Sequence, residues 1–100
     1  MRFLESSYFS EEELIRAAAY SERIMNMSQL AIRAWVKRCD KVKMVVFLKT
    51  LKAADPKAMD HVLLMLNPDD ARKMDAFADF IRLEDYPNRQ EMIESVIAAL

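Results

Sequence analysis

The chain has no glycine, one cysteine, one histidine and three prolines in its 100 residues. Each scarcity excludes something. Loops that cradle phosphates need backbone that reaches positive φ and lets a ligand approach closely, and only glycine does both without steric cost. A Walker loop and a dinucleotide fingerprint are therefore impossible here. Hairpin turns of the primed types, which also lean on glycine, are unsupported. Cys39 has no intramolecular disulfide partner, and a single thiol fits a reducing, cytoplasmic setting. A zinc site takes several protein ligands, mostly His and Cys, and one of each falls short, so neither metal nor cofactor is expected. No apolar run approaches the ~18 residues of a membrane span. The opening MRFLESSYFS carries Glu5 and no sustained apolar core, so it does not read as a secretory signal.

What is present points to helices. Hydrophobic residues make up 53% of the chain, too many for a disordered segment and enough for one core. Ala, Leu, Met, Lys and Glu dominate, all good helix formers. The expected fold class is all-α: a compact bundle of five to six short helices without a sheet. It forms a single domain over residues 1–100, with residues 1–9 as an N-terminal extension. The β-branched run VKMVVFL does not alternate and has no plausible strand partner, so it too is read as helix.

Start and stop signals place the elements. Ser10 with Glu13 forms a capping-box pattern before a helix whose apolar face is Leu14, Ala18 and Met25, helped by Ile15. Asn26 is a reasonable stop, being at ease in a left-handed conformation. Ser28 caps the next helix, with Ile32, Trp35, Val36 and Cys39 as its apolar stripe. Asp40 either caps a third helix facing the core with Met44, Phe47, Leu48 and Leu51, or lies inside one continuous helix. Asp55-Pro56 and Asn67-Pro68 each place a cap before a proline at the first helical position, where its missing N–H costs nothing. The odd stretch HVLLMLNPDD is then the joint between two helices. Tyr86-Pro87-Asn88 ends the following helix, and Asn88 with Glu91 opens the last, whose face is Met92, Ile93, Val96 and Leu100. Met25, Met44, Met59, Met74 and Met92 all fall on core stripes.

Most chemistry-bearing residues have a plain structural explanation. Cys39 and His61 could form a nucleophilic pair, but Cys39 lies on an apolar stripe and His61 on a helix among leucines. Asp75 and Asp79 lie one turn apart. On a helix running from Pro68 past Arg82 they share about 80° of arc with Arg72 and Arg82, from the 100° step, and read as a salt-bridged solvent face. The rest of that helix is apolar over most of its girth, which demands cover on two sides. It is expected to be the central helix of the bundle, or to give a face to another chain.

Charge is uneven although the net is −1. Residues 28–57 carry eight basic and two acidic groups, between acidic flanks on both sides. Within that block Ser28–Arg38 resembles the recognition helix of a helix-turn-helix motif, capped by Ser28 and carrying Ile32-Arg33-x-Trp35. The pattern departs from the motif at Glu22, where alanine is usual, and at Asn26, where glycine is usual. The resemblance implies nucleic-acid binding through Arg33, Lys37, Arg38, Lys41 and Lys43.

The preferred expectation differs: a non-enzymatic protein-interaction or regulatory adaptor module that acts through an exposed apolar, Met-rich helical face and binds another protein or itself, away from any membrane. A homo-oligomer (a homodimer) is expected. There is more apolar helical surface than a bundle of this size readily hides. Leu64, Met65, Phe80, Leu83, Ile97 and Leu100 are the candidate contact residues. The chain closes on VIAAL with no stop signal, which fits either a partner-covered end or a longer natural chain.

Overall fold

Local capping chemistry sets most of the helix boundaries. A computed structural model describes residues 9–100; residues 1–8 of the anticipated extension lie outside the described residues, and Phe9 packs half-buried on the core. Helix α1 spans Glu11–Ala18 and opens with the full capping box: Glu13 N–H donates to Ser10 Oγ (3.1 Å) and Ser10 N–H to Glu13 Oε1 (2.8 Å). A short α2 follows at Ser21–Met25. Then come α3 (Gln29–Arg38), α4 (Lys41–Ala54), α5 (Pro56–Met65), α6 (Pro68–Ala78), a 3-10 turn at Leu83–Asp85 and α7 (Arg89–Ala98). With α1 and α2, separated only by Ala19 and Tyr20, counted together, there are six helices, and the fold is the anticipated all-α bundle of five to six. No strand occurs among the described residues.

The open question at Asp40 is settled as a break. Cys39 and Asp40 leave the helical region with ψ of 149° and 136°, and Asp40 Oδ2 accepts from Lys43 N–H at 3.1 Å. An aspartate there satisfies one of the donors that a helix start leaves unpaired. Asp40→Ala is expected to cost about 1 kcal/mol of stability, read as a lower denaturant midpoint; an unchanged midpoint would mean the cap is not holding α4. Ser28 and Asn67 cap α3 and α6 in the same way. Asp55 and Asn88 stand at the expected starts of α5 and α7 but make no side-chain cap bond. Asn26 ends α2 with φ −93°, and no described residue has positive φ, so this glycine-free chain turns without the left-handed region.

Helix α4 is the centre. Met44, Val45, Val46, Phe47, Leu48, Thr50 and Leu51 are all buried, and it packs against α1, α5, α6 and α7. The buried hydroxyl of this helix, Thr50 Oγ1, donates to Val46 O one turn back at 2.9 Å. Trp35 of α3 is fully buried, edge-on to Phe47 with ring centroids 5.8 Å apart, and its Nε1–H donates to Val96 O of α7 at 3.0 Å.

Two expectations from periodicity are corrected. The core face of α1 and α2 is Ala17 and Ile24, with Glu13, rather than Ala18 and Met25, which are exposed; the stripe is rotated by one residue. More consequentially, the helix that begins at Pro68 stops at Ala78 and is peripheral, with no buried residue. Beyond it the chain alternates. Ile81 and Leu83 turn inward while Phe80 and Arg82 face out, Arg82 is extended, and Lys49 Nζ donates to Ile81 O at 2.6 Å. The apparent apolar girth came from continuing a 100° step through residues that are not helical. The charged residues there are exposed as expected, but Arg72 pairs with Asp69 and Arg82 with Glu84.

Candidate functional site

A groove of about 900 Å3 runs between α3 and α6. Its two walls are built alike. From α3 come Leu30, Arg33, Ala34 and Lys37, and from α6 come Asp70, Lys73, Met74 and Phe77. Both sets follow the i, i+3, i+4, i+7 spacing of one helix face. Half-buried Val36 adds apolar surface over the core residues Met44 and Leu66, while Cys39 and Lys41 close the end where α3 passes into α4. The packing explains why the space is open: α3 rests on α5, and α6 rests on α4 and α5. Alone among the described α-helices, α6 buries nothing, although Met74 and Phe77 face the groove.

The charges around it are mostly positive. Arg33, Lys37, Lys41 and Lys73 stand against the single carboxylate of Asp70. Arg33 also has a structural task, donating Nε–H to Met65 O at 2.8 Å where α5 ends. Arg38 does the same for α7, donating to Ala99 O at 2.6 Å. Cations at helix C-termini satisfy carbonyls that have no partner within the helix and oppose the negative end of the dipole. Two of the five anticipated nucleic-acid contacts are thus committed to holding the bundle. Lys43 is half-buried, and Lys37 and Lys41 are exposed at the groove. The outer face of α3 forms one wall of a concavity, whereas a recognition helix must project far enough to enter a DNA groove.

The anticipated apolar contacts divide three ways. Leu64 and Phe80 are 76% and 80% exposed, Met65 and Leu100 are half-buried, and Leu83 and Ile97 belong to the core, so those two present no contact surface. Leu30, at 78% exposed, was missed, as were Met74 and Phe77. Their signal was present: a large apolar residue at Leu30 on the solvent side of an otherwise polar helix turn, and Met74-x-x-Phe77 beside the charges of α6. Cys39 and His61 do not share the groove. His61 Nε2 lies 3.4 Å from Met27 O, and His61 is not among the lining residues. Burial pushes the Cys39 thiol above its ordinary pKa; Arg38 and Lys43 oppose this and Asp40 adds to it. A protonated thiol is the reverse of an activated nucleophile.

Among the described residues no three His, Cys, Asp or Glu side chains gather as a metal site would require, and no helix is long and apolar enough to cross a membrane. No family model matches the chain, and neither a curated protein nor a solved structure matches it.

Proposed function

We propose that the chain is a non-enzymatic protein-interaction module whose working surface is the groove between α3 and α6. The observation that carries this reading is α6 itself, a helix with no buried residue whose Met74 and Phe77 line an open cleft. A groove with apolar residues along its floor and a few charged groups at its rim is the form in which an amphipathic helix is commonly bound. The matched spacing of the two walls suits a helix laid between them, anchored at i, i+3, i+4 and i+7. The groove binds either another protein or a second copy of the chain. A nucleic-acid role for the basic segment 28–57 has less support, because Arg33 and Arg38 are tied into helix ends.

Selection from a displayed library of helical peptides tests the proposal. Bound peptides should show apolar residues at one-face helical spacing and bind the Leu30→Glu variant about tenfold or more weakly. Leu30 is exposed, so this substitution should leave stability within about 0.5 kcal/mol. Enrichment without that spacing, or binding indifferent to Leu30→Glu, would remove the groove as the working surface.

A further inference from the structure

We infer that the groove takes an acidic amphipathic helix of another protein, its apolar face on Leu30, Met74 and Phe77 and its carboxylates on Lys37, Lys41 and Lys73. This rests on the docking reading above and adds the chemistry of the partner. Lys37, Lys41 and Lys73 make no ion pair among the described residues, whereas Arg16, Arg72, Arg82 and Arg89 each have one. The acidic helices of this chain therefore do not answer the groove's charge.

Lys41 is informative for a second reason. It is the first residue of α4, where the helix dipole is positive, and the first turn of that helix holds no acidic residue. Cations are disfavoured there and anions favoured. The Asp40 carboxylate at this corner is taken up by Lys43 N–H, so a partner's carboxylate would meet the ammonium of Lys41 itself.

Other occupants fit less well. Two copies meeting groove to groove would oppose like charges. A nucleic-acid strand could use the lysines, but the apolar lining includes one aromatic ring, Phe77, and so offers little on which successive bases could stack.

The test uses three fluorescent helical peptides with one apolar face, flanked by Glu, by Gln or by Lys, together with a single-stranded thymidine oligonucleotide. The Glu peptide should bind about tenfold more tightly than the Gln peptide, with the Lys peptide weakest, and this order should flatten as salt rises from about 50 mM to about 500 mM. Lys37→Glu/Lys41→Glu should reverse the order; both residues are exposed, so the fold is retained. Equal binding of all three peptides, still lost in Leu30→Glu, would overturn the acidic partner and leave the docking reading standing. No binding by any peptide would overturn both. Tighter binding of the oligonucleotide than of the Glu peptide would assign the lysines to nucleic acid. Self-association abolished by Lys37→Glu/Lys41→Glu would assign the groove to a second copy.

Discussion

Trp35→Ala is expected to lower folding stability by about 4 kcal/mol, the range found when a buried aromatic is cut to alanine. Trp35 is fully buried and bridges three helices, lying in α3, edge-on to Phe47 of α4 and bonded to Val96 O of α7. Most of the loss should come from the cavity. Val96 O also accepts from Ala99 N–H at 3.2 Å, so it is not orphaned when the indole leaves. Trp35→Phe, which keeps a ring against Phe47, should therefore cost much less, about 1–2 kcal/mol. Set against a domain stability of roughly 5–15 kcal/mol, that is a large fraction of the total. Denaturant midpoints for the two variants check this, and equal losses would show that the hydrogen bond, not the volume, is what matters.

The Glu13–Arg89 pair should give the second largest effect. Arg89 grips the carboxylate with two bonds, Nε to Oε2 at 3.0 Å and one terminal nitrogen to Oε1 at 3.1 Å, while its other terminal nitrogen donates to Leu83 O. The Glu13 side chain is only 7% exposed and that of Arg89 20%. Removing one partner leaves a charge with little access to water, so Glu13→Gln or Arg89→Met should each cost about 3 kcal/mol. The double variant Glu13→Leu/Arg89→Met should recover much of that, since apolar replacement of both partners also removes the desolvation cost. The Arg16–Glu94 pair is also bidentate but more exposed, so water screens it and its contribution should be smaller.

The same pair predicts a pH dependence. Burial alone would raise the Glu13 carboxyl, but hydrogen bonds from Arg89 and Ser10 and the charge of Arg89 outweigh it and hold the group below its ordinary value of 4.5. A depressed carboxylate contributes stability that is present above the unfolded value and lost as pH falls through the folded one. The gap between the wild type and Glu13→Gln should be full near pH 7 and shrink at about pH 3. A gap that does not change with pH would mean Glu13 contributes through packing alone.

The helix starts were legible in the sequence because capping is local. Ser10 with Glu13, Ser28, Asp40 and Asn67-Pro68 each satisfy donors two or three residues away, and all act as their residue types imply. The helix ends were less legible. No Gly or Pro marks the interruption at Ala19 and Tyr20, where Tyr20 N–H closes a tighter turn onto Ala17 O. The end of α6 at Ala78 was hidden because Phe80, Ile81 and Leu83 keep a plausible helical spacing while alternating in and out of the core. The groove was illegible for a different reason. Its walls lie forty residues apart in the chain; Leu30–Lys37 alone reads as a basic helix, and Asp70–Phe77 alone as half of a buried one.

By itself, then, the sequence determined the helical class, most helix starts, the apolar stripe of α4 and the exclusion of glycine-built phosphate loops. These follow from backbone propensity and from hydrogen bonds that span a few residues. Only the tertiary structure decided that α4 rather than α6 lies at the centre, that Glu13 meets a guanidinium 76 residues away, and that Met74 and Phe77, half-buried against the core, also line an opening. An apolar side chain specifies that it avoids water, not which surface it avoids water against, and that choice belongs to the packing of the whole chain.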